Sequence, residues 1–212
     1  IEIFSAAAAS VNQQITAQLA ALGVNAVGLA GPNIIQARRK TAIRAIRDGR
    51  QIIVRDDHTG TITGINTPLL QTLLDGGMTP VIAPVAMGEE FERLNVDGDL
   101  VAANVARELD AHTLIILSNV PGLLRDVSNP SSLVSQFSLD ELSIFEPLTA
   151  GRMKKKLLAA QHAQANRVIL ADSRIAAPVD AALAGGGTHI LQPQADGVWQ
   201  GISAEQEAAY AD

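Results

Sequence analysis

The stretch from Asn95 to Gly122 constrains the fold of this chain most. It starts with an acidic, glycine-bearing turn, Asn95-Val-Asp-Gly-Asp99, and continues as an apolar helix from Leu100 to Leu109. A short apolar strand follows, Thr113-Leu-Ile-Ile-Leu117, and it ends in Ser118-Asn-Val-Pro-Gly122. Open α/β sheets place their ligands beside small polar residues and glycines at the carboxyl end of a buried strand. The stretch therefore predicts an α/β fold with a ligand site after this strand.

Asp99 stands at the start of the predicted helix. A carboxylate there can satisfy free backbone N–H groups and suits the positive end of the helix dipole. For a single Asp, this capping role competes with a role in chemistry, and the rest of the chain has to decide between them.

Helical and strand patterns alternate along the chain. Apolar residues at three- and four-residue spacing predict an amphipathic helix over residues 2–22, with a stripe made of Ile3, Phe4, Ala7, Val11, Ile15, Leu19 and Leu22. Further helices are predicted after Asn66-Thr-Pro68, over 139–145, after Gly151 and over 178–184. Strands are predicted at 24–29, 51–54, 59–65, 78–86, 113–117, 167–172 and 188–191. Such alternation predicts a mainly parallel sheet.

Composition excludes several classes of protein. A hydrophobic content of 47% in 212 residues allows one large domain or two lobes. A net charge of −6 argues against a general nucleic-acid binder, because phosphate neutralisation needs a cationic surface. The absence of cysteine excludes disulfides and thiolate metal sites and favours the cytoplasm. No run approaches the roughly 18 apolar residues that a membrane span needs.

A first basic cluster lies between Arg38 and Arg55, which contain seven of the 16 Lys and Arg residues. It is either a solvated charged face or a docking surface for an acidic partner, and the pattern leaves both open. His58 and His189 are interpreted as a turn and a strand residue without chemistry, because no carboxylate at fixed spacing supports a catalytic role.

A second basic cluster follows Gly151, where Arg152, Lys154, Lys155 and Lys156 occupy the first turns of a predicted helix. Cations at a helix N-terminus oppose the helix dipole at a cost of about 0.3–1 kcal/mol each. Four of them therefore favour a nearby anion, and a helix start with lysines is a phosphate-binding combination. The chain has neither a P-loop nor a dinucleotide fingerprint, so lysines, glycine backbone and helix ends would handle the phosphate.

Four markers in this order resemble the amino acid kinase family, in particular its acetylglutamate kinase branch. They are Gly76-Gly-Met-Thr-Pro-Val-Ile-Ala-Pro84, Leu94-Asn-Val-Asp-Gly-Asp99, Leu117-Ser-Asn-Val-Pro-Gly-Leu-Leu124 and Gly151-Arg-Met-Lys-Lys-Lys156. The resemblance runs from about Ile1 to Leu191. It is strongest to the variant that phosphorylates 2-aminoadipate or glutamate held on LysW, a small acidic carrier protein. Three details favour this branch. The acetylglutamate enzymes usually have Asn-Ala-Asp where this chain has Asp97-Gly98-Asp99, and commonly Asp where it has Asn119. The basic run Ala37-Arg-Arg-Lys-Thr-Ala42 resembles a basic segment of the carrier-dependent enzymes.

The resemblance implies a fold, a reaction and a set of site residues. The fold would be a three-layer α/β sandwich of the carbamate kinase type with a mainly parallel central sheet. Residues 1–93 would belong to the acyl-substrate lobe, 94–191 would form the ATP lobe, and 192–212 would be a tail.

The cofactors would be ATP and Mg²⁺, with the metal carried by the nucleotide phosphates rather than by a protein site, and the enzyme would be a homodimer. Lys156 and Asp99 would be catalytic and Asn95 would bind the substrate. The ATP pocket would be lined by Asn119, Val120, Pro121, Gly122, Leu123, Leu124 and Gly151, and the carrier would dock on Arg38, Arg39 and Lys40.

The chain also departs from the family pattern. It lacks the initial Lys-x-Gly-Gly strand, a His-Gly-Gly-Gly-type loop and an Arg for the substrate carboxylate, and we expect these upstream of Ile1. Two alternatives to the carrier-dependent kinase therefore stay open. One is an N-acetylglutamate kinase that uses the free substrate. The other is a non-catalytic nucleotide-sensing domain of the same fold.

Overall fold

Most helices and strands occur where the apolar periodicity predicts them. The computed structural model describes residues 1–47, 50–55, 57–149 and 151–193. These residues form two compact units that divide after Val101. The division falls a little after the predicted lobe boundary between residues 93 and 94. Asp56, Ala150 and all but the first two residues of the predicted tail lie outside the described residues.

The first unit combines two helices with three small sheets. Its helices are α1 (Glu2–Ala21) and α2 (Thr67–Asp75), and α3 (Gly98–Glu108) begins in it and runs into the second unit. Its strands are β1 (Ala26–Leu29), β2 (Ile35–Arg39), β3 (Ala42–Arg47), β4 (Arg50–Arg55), β5 (Gly60–Ile65), β6 (Thr79–Ile82), β7 (Val85–Met87) and β8 (Arg93–Asn95). β1 pairs with β6 in parallel, β3 with β4 as a hairpin, and the remaining sheet has the order β5-β2-β7-β8. α1 packs against β1 and β6.

Helix α1 confirms the predicted helix, but the predicted buried face is wrong. Ile3 and Leu22 are 89% and 80% exposed, whereas Ser5 and Asn12 are buried. The reason lies in β1, where a Cβ atom on Gly28 would meet the Asn12 and Thr16 side-chain oxygens at 2.5 and 2.9 Å. Small and polar side chains allow this close approach, and Asn12 Nδ2 donates to the Val81 carbonyl at 2.7 Å.

One further prediction needs correction in the first unit, and two strands there were not predicted. The predicted strand 78–86 is two strands, because Pro84 has no N–H and the chain turns there, with Val85 N donating to Ala83 O at 2.8 Å. The basic stretch that starts at Ile35 forms β2 and β3, where no strand was predicted. Alternation of buried Ile35 and Ala37 with exposed Gln36 and Arg38 is a strand signal that the charges obscure.

The second unit is built on one mixed sheet. Its helices are α4 (Leu142–Phe145), α5 (Arg152–Ala163) and α6 (Pro178–Leu183), and its strands are β9 (Thr113–Ser118), β10 (Gln136–Ser138), β11 (Arg167–Asp172) and β12 (Thr188–Leu191). The strand order is β10-β12-β11-β9, with β9 and β11 parallel and β12 antiparallel to β11. α5 and α6 pack against β11. The predicted helix over 139–145 is a 3₁₀ turn followed by α4.

The α/β class is confirmed. Parallel pairs join β1 to β6, β2 to β7, β9 to β11 and β10 to β12, and antiparallel pairs alternate with them inside the two larger sheets. The core of the second unit lies on β11, where Val168, Ile169 and Leu170 are at most 1% exposed. None of the helices in the described ranges combines the length and the hydrophobicity that a bilayer crossing requires.

Candidate functional site

A cavity of about 390 Å³ in the second unit lies at the carboxyl end of β9. One wall is the end of that strand and the residues after it, and the other is the first turns of α5. The lining residues are Leu117, Ser118, Asn119, Val120, Arg152, Met153 and Lys156. The carboxyl end of this strand is where the sequence predicts a ligand site, although β9 is mostly half-buried and only Ile116 in it is fully buried.

The strand wall is anchored to the core through Thr188. The Thr188 hydroxyl accepts a hydrogen bond from Leu123 N at 2.8 Å and donates one to the Val134 carbonyl at 2.6 Å. Gly122 has φ +149°, and a Cβ atom there would lie 2.5 Å from Thr188 Oγ1. The turn after β9 therefore needs glycine at this position, both for its backbone angle and for the close contact.

The helix wall is cationic. Arg152 and Lys156 are four residues apart on α5, so they share one face of the helix, and both line the cavity. Lys154 and Lys155 belong to the same cluster but are not among the lining residues. No carboxylate is among the described residues that line the cavity, and two cations at a helix N-terminus suit an anion.

The structure brings together three of the predicted site residues in the second unit: Asn119, Val120 and Lys156. The predicted ATP-site residues from Pro121 to Leu124 are outside the lining, and Leu123 is a core residue with 1% exposure. Gly151 precedes α5 with φ +56°, and a Cβ atom added there would meet no atom of the described residues within 4 Å. The roles of these residues in nucleotide binding stay predictions.

Ser118 and Met153 line the cavity although neither was predicted as a site residue. Arg152 also lines it and was predicted as part of the phosphate-binding cluster, but not as a residue of the ATP pocket. The signals were present. Ser118 is the last residue of a strand whose following residues were selected, and Arg152 stands one helical turn before Lys156.

In the first unit, Asn95 and Asp99 flank the turn between β8 and α3. Asn95 N donates to the His58 carbonyl at 2.6 Å. The cap of α3 is formed by Asp97, whose Oδ1 accepts from Asp99 N at 3.0 Å and from Leu100 N at 3.3 Å. The predicted capping role thus belongs to Asp97, and Asp99 lies in the first turn of the helix. Its convergence with Lys156 on a phosphate stays a prediction.

The predicted docking residues lie on and just after β2. Arg38 pairs with Glu89 at 3.1 Å, and both side chains are more than three-fifths exposed. Arg39 Nε donates to the Asp57 carbonyl at 2.9 Å, and Lys40 N donates to the Thr59 carbonyl at 2.9 Å. The exposed Arg38–Glu89 pair contributes little to stability, so it could exchange partners at small cost.

A larger cavity of about 910 Å³ lies in the first unit, and it is lined by α1, the end of β1 and the residues after it, and β7. Small side chains dominate its lining, and the Ser5 hydroxyl is buried there without a hydrogen-bond partner. Its two charged lining residues, Glu2 and Arg93, pair with each other at 3.0 Å. The charged residues that line this cavity are thus one acid and one base, whereas those that line the smaller cavity, Arg152 and Lys156, are both basic.

Comparison with known proteins identifies the family of the chain. A family model described as "Amino acid kinase family" matches residues 2–171. The [LysW]-aminoadipate kinase of Deinococcus radiodurans is 41% identical over 185 residues, which cover 85% of this chain and 63% of that protein. The [LysW]-aminoadipate kinase of Thermus thermophilus is 38% identical over 187 residues, covering 85% and 70%. The chain thus spans about two thirds of the length of these curated relatives.

Solved structures share the fold. N-acetylglutamate synthase from Neisseria gonorrhoeae, complexed with coenzyme A and N-acetyl-glutamate, gives a TM-score of 0.68 at 22% identity, covering 94% of this chain and 47% of that one. Giardia carbamate kinase gives 0.61 at 22% identity, covering 86% and 68%. The predicted amino acid kinase fold is confirmed. By its family match and its curated relatives, the chain belongs to the amino acid kinase family, in the branch of the [LysW]-aminoadipate and [LysW]-glutamate kinases.

Proposed function

We propose that this chain is part of a cytoplasmic, ATP-dependent kinase that phosphorylates the side-chain carboxylate of 2-aminoadipate or glutamate held on a LysW-like acidic carrier protein. The product would be an acyl phosphate for lysine or arginine biosynthesis. The observation that carries the proposal is the cavity lined by Asn119, Arg152 and Lys156, in a chain whose relatives are named [LysW]-aminoadipate kinases.

The chemistry suits such a cavity. A carboxylate is already ionised at neutral pH, so the attack on the terminal phosphate needs no general base. The task is to hold two anions in line and to stabilise the charge of the transferring phosphoryl group. Lys156 would provide that charge and Arg152 would hold the phosphates. Asn95 would bind the amino-acid end of the substrate, and Asp99 would orient the catalytic lysines.

Mg²⁺ would enter with the nucleotide. Within the described part of the chain, no group of three or more His, Cys, Asp or Glu side chains is placed to hold a metal ion. Mg²⁺ commonly binds through substrate phosphates and few protein carboxylates, which is the manner of binding that the family resemblance implies. When bound, the ion would neutralise phosphate charge, while Arg152 and Lys156 orient the phosphate oxygens.

An assay of the full-length protein tests the proposal. It would measure acyl-phosphate formation, trapped with hydroxylamine, on a carrier that bears a C-terminal glutamate or aminoadipate and on free N-acetylglutamate. ATP-dependent product on the carrier alone is the expected result. Turnover of free N-acetylglutamate alone would replace the carrier proposal with the acetylglutamate kinase alternative, and ATP binding with no turnover of either substrate would favour the nucleotide-sensing alternative.

Carrier docking on the basic stretch gives a specific prediction. Arg38→Glu combined with Lys40→Glu reverses two charges on and just after β2. We expect the KM for the carrier substrate to rise about tenfold or more at low salt, because complementary charge steers encounter. The difference from wild type should shrink as salt screens the surface. The KM for ATP should not change.

Arg107→Glu is the control, because Arg107 lies in the second unit and pairs with the neighbouring Glu108 at 3.0 Å. A carrier KM that does not respond to the double variant would remove this docking site.

We also propose a homodimer that uses α1. In support, Phe4, Val11 and Ile15 on this helix and Leu22 directly after it form an apolar stripe and are 38–80% exposed. Val11→Asp combined with Ile15→Asp should convert a dimer into a monomer in sedimentation experiments at micromolar concentration. Ser10→Asp, on the exposed side away from the stripe, should leave the dimer intact. A monomeric wild type under these conditions would contradict the proposal.

A further inference from the structure

The carboxyl ends of two neighbouring strands meet beside the cavity. β9 and β11 run parallel in register, and their last pair is Ser118 opposite Asp172. Ser118 and the next residue, Asn119, both line the cavity. Whatever fixes Ser118 therefore also shapes the strand wall of the site.

Ser173 fixes the carbonyl group of Ser118 with two hydrogen bonds. Its backbone N–H donates to Ser118 O at 2.7 Å, and its hydroxyl donates to the same oxygen at 2.9 Å. This carbonyl belongs to the peptide plane that joins Ser118 to Asn119. Two donors on one oxygen restrict the rotation of that plane, and so they set the direction in which Asn119 leaves the strand.

The flanking residues hold Ser173 in place. Arg174 donates to the Asp172 carboxylate three times, from its backbone N–H at 2.9 Å, from Nε at 2.8 Å and from Nη2 at 2.7 Å. The side-chain and backbone hydrogen bonds from Arg174 lower the pKa of Asp172 from 3.8 to about 2. Because the folded pKa is depressed, the ion pair is complete above about pH 4 and is lost only as the pH falls toward about 2. The Asp172–Arg174 ion pair is thus intact at any pH at which a kinase would work.

We propose that Ser173 is a positioning residue for the nucleotide: its hydroxyl holds the Ser118–Asn119 peptide in the orientation that the bound nucleotide requires. The inference rests on the proposed function, since the ligand of the cavity is taken to be ATP. A serine that only closed the end of β11 would affect stability alone. A positioning serine affects the affinity for ATP while the folded state keeps its stability.

Ser173→Ala in the full-length protein tests the role of the hydroxyl, because it removes the side-chain hydrogen bond and keeps the backbone one. We expect the KM for ATP, and the Kd from competition with a fluorescent ATP analogue, to rise about three- to tenfold, as the loss of one hydrogen bond predicts. The kcat should change less than about twofold, and Tm should change by no more than a few degrees. Ser173→Thr keeps the hydroxyl and should restore the affinity.

Ser128→Ala is the matched control. Ser128 lies in an exposed turn of the same unit, and its hydroxyl donates to Asp126 Oδ1 at a distance of 2.7 Å. Neither residue is among those that line the cavity. This variant loses a similar hydrogen bond and should bind ATP as the wild type does.

The outcomes separate the inference from the proposed function. Unchanged ATP affinity in Ser173→Ala, or a loss that Thr does not rescue, overturns the positioning role. A wild type that binds ATP without phosphorylating either substrate overturns the kinase proposal, and the Kd comparison still decides the role of Ser173. A wild type that binds no ATP overturns both.

Discussion

Lys156→Ala is expected to lower kcat by at least about 100-fold, the scale of losing one electrostatic contact to a transition state. Lys156 lines the cationic cavity together with Arg152, at the start of α5. The transferring phosphoryl group spreads negative charge over its oxygens, and a positioned ammonium stabilises that charge more than it stabilises bound ATP. The expected signature is therefore a large loss in kcat with a much smaller change in the affinity for ATP.

Lys155→Ala is the matched control for this prediction. It removes the same charge from the same helix turn, but Lys155 is exposed and is not among the cavity-lining residues. Its kcat should stay within about threefold of wild type, because the change in long-range charge is largely screened. Steady-state kinetics of both variants with the carrier substrate, with Tm measured for each, decides the matter. Near-normal turnover in Lys156→Ala, or an equal loss in Lys155→Ala, would rule out the catalytic role of Lys156.

Most helices and strands of this fold were predictable from sequence, because a long regular spacing of apolar residues indicates the type of element whatever it packs against. The helix that became α1 and the strands that became β9 and β11 follow directly from their repeats. The buried face of α1 was not predictable in the same way. Its packing depends on Gly28 in β1, because a glycine, which has no Cβ atom, leaves space for the Asn12 and Thr16 side chains. Periodicity within one helix does not contain that information.

The candidate site was predictable in part, for a related reason. Asn119 and Lys156 could be selected because each follows a local signal, a strand end and a helix start, and the cavity contains both. Ser173 could not be selected, because its role depends on the register of β11 against β9. A register is a property of two strands, and neither strand alone specifies it. The same limit applies to Asp99 and Lys156, whose joint role rests on the family resemblance.

Gly122→Ala is expected to destabilise the second unit by about 2 kcal/mol more than a glycine substitution in open space. The added methyl group would lie 2.5 Å from Thr188 Oγ1 and 3.0 Å from Thr188 N. Thr188 is fully buried, so neither atom can move away without breaking the hydrogen bonds to Leu123 and Val134. Overpacking costs about 1–3 kcal/mol and each lost hydrogen bond about 1 kcal/mol.

Gly185→Ala separates the contact from the backbone strain. Gly185 also has positive φ, +106° against +149° for Gly122, but its Cβ position has nothing within 4 Å. Both variants carry the cost of an alanine at positive φ, and only Gly122→Ala carries the cost of displacing Thr188. Urea unfolding of the two proteins gives the difference in free energy directly, provided that the m values agree. Leu123 N donates to the same hydroxyl, and Leu123 follows the cavity-lining residues Asn119 and Val120. Displacing Thr188 should therefore make this turn more mobile and lower the affinity for ATP, in Gly122→Ala alone. Equal stability of the two variants would mean that Thr188 does not anchor the wall of the site.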